Sequence, residues 1–87
     1  MSKFSSVHES VRTAVNFVDP MALFPLGAPL DEYEEEITDL TGRIIDRGDP
    51  ADSTTVLAVF HDWFGVRIPT DCAQTVAALI QETLPAA

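Results

Sequence analysis

An 87-residue chain that is 46% hydrophobic and 22% charged is globular rather than disordered, and its size limits it to one domain with a thin core, roughly two-thirds of the unfolded chain's surface being buried. Fourteen Asp and Glu residues against five Lys and Arg leave a net charge of -9, a field that repels nucleic acid and anionic membrane and attracts a basic protein. The single cysteine, Cys72, excludes an internal disulfide and every multi-cysteine metal or cluster site, and a reducing cytoplasm is the expected compartment.

The opening residues hold one cation and no continuous apolar run, which predicts neither a secretory leader nor a lipid anchor. No later stretch is long and apolar enough to span a bilayer. The first helix is expected from about Ser6 to Val18, where Val7, Val11, Ala14 and Val18 recur at i, i+4, i+7 and i+11 and share one face. Ser5 or Ser6 is expected to cap it. Pro20 should stop it, because the residue before a proline is pushed out of helical geometry, so Asp19 falls at or just past the end.

Pro20 to Leu30 contains three prolines, one glycine and no charge. That proline density forbids a regular helix, yet Met21, Leu23, Phe24, Leu26 and Leu30 are too apolar for a solvated linker. The segment must either fold back as a lid on the core or meet another molecule. A second helix is expected from Leu30 or Asp31 to Gly48, with Tyr33, Ile37, Leu40 and Ile44 as its stripe, Ile45 widening it and Gly48 as a left-handed cap. Its outer face opens with Asp31, Glu32, Glu34, Glu35, Glu36 and Asp39 and turns basic at Arg43 and Arg47, the order that complements the helix dipole. Two i, i+4 pairs on that face are nevertheless like-charged, Glu32 with Glu36 and Glu35 with Asp39, and each costs about 0.2–0.5 kcal/mol. A lysine would serve stability better, so the repulsion hints at an acidic docking face, against the plain alternative of a solvated face whose cost the helix dipole largely offsets.

Pro50 suits a turn, and Asp52 or Ser53 can cap a third helix running to about Phe64. Val56, Leu57, Phe60, Trp63 and Phe64 form its apolar face and include three of the chain's seven Phe, Tyr and Trp residues, which makes this helix the expected centre of the core. Its first half, Ser53, Thr54, Thr55, Val56 and Val59, is also compatible with a strand. Gly65 is the expected C-terminal cap. Thr70 or Asp71 then opens a final helix carrying Cys72, Val76, Leu79, Ile80 and Leu84, and Pro85 ends it. These elements predict an all-α fold over residues 1–87, a small four-helix bundle of orthogonal or up-and-down type, with the Pro-rich apolar segment as its long crossover.

Val18-Asp19-Pro20, the stretch Gly27-Ala28-Pro29-Leu30-Asp31-Glu32-Tyr33-Glu34, Gly48, and Asp62-Trp63-Phe64-Gly65 together resemble a family of small bacterial proteins, the domain-of-unknown-function family numbered 1871. The likeness covers about the middle half of the chain. It departs at Val18, where an aromatic often precedes the aspartate, and in the apolar run between Pro20 and Gly27. The resemblance implies a small helical fold and no assigned activity.

No convergent catalytic set can be assembled from the sequence, and no enzyme activity or cofactor is expected. His61 and Asp62 are helix neighbours whose side chains diverge by about 100°. His8 stands as an isolated surface residue, and no Glu-x-x-His or His-Glu-x-x-His spacing or glycine-rich phosphate loop occurs. Cys72, in the first turn of the last helix, shares its spacing with Val76 and Leu79 and reads as a buried, inert thiol. The leading expectation is an acidic protein-interaction module, of the immunity or antitoxin kind, that binds a basic partner through Asp31, Glu32, Glu35, Glu36 and Asp39 with Phe24 and Leu26 beside them. A homodimer through the apolar segment is a further option. The alternative function is a small-ligand or metal-binding regulatory domain in which Asp19, Asp31, Glu32 and Glu35 form a carboxylate pocket.

Overall fold

The structure of the protein, a computed structural model, describes residues 3–84. Four α-helices follow one another: α1 over Lys3–Val18, α2 over Glu34–Ile45, α3 over Ser53–Phe64 and α4 over Thr70–Thr83. Consecutive helices pack side by side, and α4 returns to pack on α1, so the four form a closed square with no diagonal pairing among the described residues. The contacts fix the directions. His8 and Arg12 of α1 meet Thr38 and Glu34 of α2 in reversed order, and Ser10 of α1 reaches the carbonyl of Thr83 near the end of α4. Gln81 of α4 likewise bonds the carbonyl of Ala51 just before α3. α1 and α2 run antiparallel, and so do α3 and α4. The four helices form a small all-α bundle with extents of 37 × 23 × 20 Å.

Local chemistry explains most of the helix ends. Asp52 accepts the backbone N–H of Thr55 at 3.1 Å and caps α3, while Gly65, with φ of 71°, donates its own N–H to the carbonyl of His61. No strand competes for the Ser53–Val59 stretch, because Thr55, Val56 and Val59 are all buried on the packed side of α3. Three expected boundaries shift, one of them the end of the second helix, which stops at Ile45 with Asp46 as its C-cap, three residues before the left-handed Gly48. The first helix already begins at Lys3, so Ser5 and Ser6 lie inside it rather than capping it. The second begins at Glu34, because Pro29 to Tyr33 forms successive turns, with the N–H of Glu32 on the carbonyl of Pro29 and that of Glu34 on Asp31.

The core is built on Val7, Val11, Ala14 and Val15 of α1, Ile37 and Leu40 of α2, Val56, Val59 and Phe60 of α3, and Ala73, Val76, Ala77 and Ile80 of α4, with Tyr33 and Ile68 from the connections. Phe60 sits at its centre, stacked on Phe64 at 5.9 Å and meeting the edge of Tyr33 at 6.0 Å. Trp63 departs from expectation. It lies 47% exposed at the rim between α3 and α2, and Val59 takes the interior place instead.

The Pro-rich segment joins two adjacent helices, so it is a strap at the end of the bundle rather than a crossover. Asp19 leaves α1 with a left-handed φ of 51° and Ala22 follows with φ of 53°. A short 3-10 turn over Phe24–Leu26 completes the bend. Met21, Leu23 and Phe24 pack on the core, and Phe24 meets Tyr33 edge-on at 5.5 Å, whereas Leu26 and Leu30 stand 82% and 80% exposed. The strap is thus a lid on its inner side and open apolar surface on its outer side.

Candidate functional site

One carboxylate organises the strap. Asp19 accepts the backbone N–H of Leu23 at 2.9 Å and of Phe24 at 3.1 Å, together with the hydroxyl of the fully buried Tyr33, which in turn accepts the N–H of Met21 at 3.0 Å. Burial alone would raise the pKa of Asp19, but the Tyr33 hydroxyl and the two backbone donors outweigh it and hold the carboxyl below its ordinary value. Burial and the neighbouring Asp19 charge push the Tyr33 phenol well above its ordinary value. Asp19 therefore serves the fold. It is not part of a carboxylate pocket with Asp31, Glu32 and Glu35, and among the described residues no group of three or more His, Cys, Asp or Glu is placed to hold a metal.

The acidic residues before and along α2 divide into three groups. Asp31, Glu32 and Glu35 are exposed and meet no cation among the described residues. Glu34 and Asp39 are held by arginines. Arg12 donates to Glu34 at 2.8 Å and also to Glu9, and the Arg12 hydrogen bond outweighs the desolvation that would raise Glu34, keeping its carboxyl below the ordinary value. Arg43 grips Asp39 with two bonds of 3.1 Å and reaches across to Asp62 of α3 at 2.6 Å, lowering the pKa of Asp62. Glu36 is the exception to the expected outer face. It is 5% exposed on the inner stripe, where burial raises its pKa and the charges of Glu35 and Glu32 add to the effect. The reason is geometric: Glu36 follows Tyr33 by three residues and falls on the same side of the helix. Phe24 is likewise turned inward, leaving Leu26 as the accessible apolar residue of the expected pair.

A second acidic feature arises only where α2 meets α3. A groove of about 430 Å³ runs between α2 and the end of α3, lined by Glu34, Glu35, Thr38, Asp39 and Trp63. The indole N–H of Trp63 donates to Oδ2 of Asp39 at 3.0 Å, the oxygen that also accepts from Arg43. The available signal was the spacing of Trp63 three residues beyond Phe60 together with an i, i+4 Asp39–Arg43 pair, but pairing α2 with α3 requires the fold.

The histidines take up other places. His8 is not isolated: its Nε2 lies 3.2 Å from Glu34 and 3.3 Å from Thr38, its Nδ1 lies 3.3 Å from Arg12, and its ring stacks on Phe4 at 5.8 Å. His61 and Asp62 approach to 3.9 Å, too long for a hydrogen bond, and Asp62 is engaged by Arg43. Cys72 is half-buried rather than fully enclosed. No described helix is long and apolar enough to cross a membrane. Compared with protein-family models, curated proteins and solved structures, the chain finds no match.

Proposed function

We propose that this chain is an acidic, non-catalytic protein-binding module of the cytoplasm, and that its partner is a basic protein. One observation carries the reading: Asp31, Glu32 and Glu35 meet no cation among the described residues at the entry to α2, beside the exposed Leu30 and on the same connection as the exposed Leu26. An apolar patch with a charged rim is the composition of a recognition surface, and charge of one sign speeds and selects encounters with the opposite sign. Neutralising a toxin in the manner of an immunity protein or antitoxin is the instance of this class that we favour. Kinship with the domain-of-unknown-function family numbered 1871 is part of the same proposal and rests on the Asp19-Pro20 step and the Gly27-to-Glu34 stretch. A metal- or ligand-binding role has lost its main support, since Asp19 is occupied by Tyr33 and the strap backbone.

The test is a pull-down from native lysate at low and high salt, followed by titration of the purified captured protein. The expected result is a complex that weakens steeply with salt, and a loss of about tenfold in affinity, equivalent to ~1.4 kcal/mol, in the combined variant Asp31→Asn, Glu32→Gln, Glu35→Gln. A captured protein that binds this variant as tightly as the parent, at every salt concentration, overturns the reading.

A further inference from the structure

The groove between α2 and α3 has a more specific form than a solvated acidic face. Its wall is the chain's one tryptophan, and its rim is Glu34, Glu35 and Asp39. The indole is held in place by its edge: the N–H is fixed on Asp39, Asp39 is gripped by Arg43, and Arg43 is anchored on Asp62. With the polar edge satisfied and the side chain 47% exposed, apolar ring surface is presented to solvent.

Charge selects what can sit there. Arg43 is shared by two carboxylates, Asp39 and Asp62, and Arg12 by two more, Glu9 and Glu34. Adding Glu35, five carboxylates among the described residues share two guanidinium groups and the His8 ring beside Glu34, and Glu35 itself meets no described cation, so the mouth of the groove keeps negative charge. An apolar wall beneath a negative rim rejects anions and gives a neutral side chain no partner for the carboxylates. It suits a cation whose body is flat and apolar. Trp offers the strongest ring face for a cation, and a guanidinium can stack on it while presenting its N–H fork to a carboxylate, which an ammonium cannot do.

We propose that this groove is the seat of a single arginine side chain of the basic partner, stacked on Trp63 and paired with Glu35. The proposal rests on the protein-binding reading given above and names the contact that would anchor it. A second copy of this chain is the disfavoured occupant, because each copy carries a net charge of -9.

One tryptophan means one indole N–H resonance, so the groove can be followed directly by heteronuclear NMR on the full chain. The probes are a capped pentapeptide, acetyl-Ala-Leu-Arg-Leu-Ala-amide, and the same peptide with lysine or norleucine in place of arginine, each added into the millimolar range. The arginine peptide is expected to shift the indole resonance and the Glu35 and Thr38 amides saturably, the lysine peptide more weakly, and the norleucine peptide not at all. Glu35→Gln should weaken the arginine peptide by roughly two- to fivefold, the effect of one exposed ion pair. In Trp63→Leu the Glu35 and Thr38 amides should stop responding while the remaining amide spectrum stays folded. Shifts confined to Asp31 and Glu32, or equal responses to arginine and norleucine, overturn the groove proposal and leave the basic-partner reading intact. An indole resonance that moves with protein concentration alone assigns the groove to a second copy and overturns it as well. Absence of any response to the arginine peptide also defeats the groove proposal, whereas the partner reading falls only on the titration of the captured protein.

Discussion

Asp19 and Glu35 are both carboxylates at helix ends, one just past α1 and the other in the first turn of α2, and the molecule uses them in opposite ways. Asp19 accepts three hydrogen bonds and ties the strap to the core through Tyr33. Glu35 accepts none from the described residues, lies two residues behind the buried Tyr33, and is four residues from the like-charged Asp39. The difference teaches that acidity here has two origins. Part of it is internal structure, fully saturated, and part is surface charge that the fold leaves unanswered. Substitutions that separate stability from binding probe this division.

The strongest disturbance should come from the core that both regions share. Phe60→Ala removes the ring on which Tyr33 and Phe64 rest and is expected to cost about 3–5 kcal/mol, measured by urea denaturation, a large part of the roughly 5–15 kcal/mol that holds a domain folded. Next comes the strap. Tyr33→Phe keeps the ring but leaves Asp19 and the N–H of Met21 without the hydroxyl, at an expected cost of about 1–3 kcal/mol. The same substitution has a pH signature. Because the native pKa of Asp19 is depressed, its contribution is full above the unfolded value of about 3.9 and is lost as pH falls through the lower native value. Acid titrations of stability should therefore show a shallower loss in Tyr33→Phe than in the parent, and identical slopes would refute the link. Ala22→Gly should stabilise by about 1 kcal/mol, since Ala22 holds a left-handed φ of 53° that glycine adopts without strain. Smallest of all, Glu35→Gln should change stability by less than about 0.5 kcal/mol, because the repulsion it relieves with Asp39 is offset by the lost interaction with the positive end of α2. A loss of more than that would mean Glu35 belongs to the structure, as Asp19 does.

How far the sequence could be read follows the range of the interactions involved. Asp52 and Gly65 act within a turn of α3, and both of its ends were legible. The period of Val7, Val11 and Ala14 marked the buried face of α1, although Val15 and Val59, which widen their stripes, were not singled out. The start of α2 was misplaced because Asp31 and Glu32 look like helix-opening residues while Pro29 to Tyr33 forms turns. Apolarity alone places Trp63 in the core, and only the neighbouring α2, with Asp39 to receive its N–H, explains why it stays at the rim. The link between Asp19 and Tyr33 joins residues fourteen positions apart, and no periodicity announces it. Among the acids, Asp31, Glu32 and Glu35 are where a surface reading places them, whereas Glu36 shows that a charge run can conceal a member of the inner stripe.

The closed square of helices also bears on how the chain reaches its native state. Three of its four seams join helices that are neighbours in sequence, and the fourth brings α1 against α4 across nearly the whole chain. Loop closure is cheap for the first three and costlier for the last. Folding should accordingly be fast for a chain of this length, with the hairpins of adjacent helices assembling before the ends meet. The seam holding Ser10 to the carbonyl of Thr83 would then form late, so weakening it should quicken unfolding while leaving the folding rate nearly unchanged.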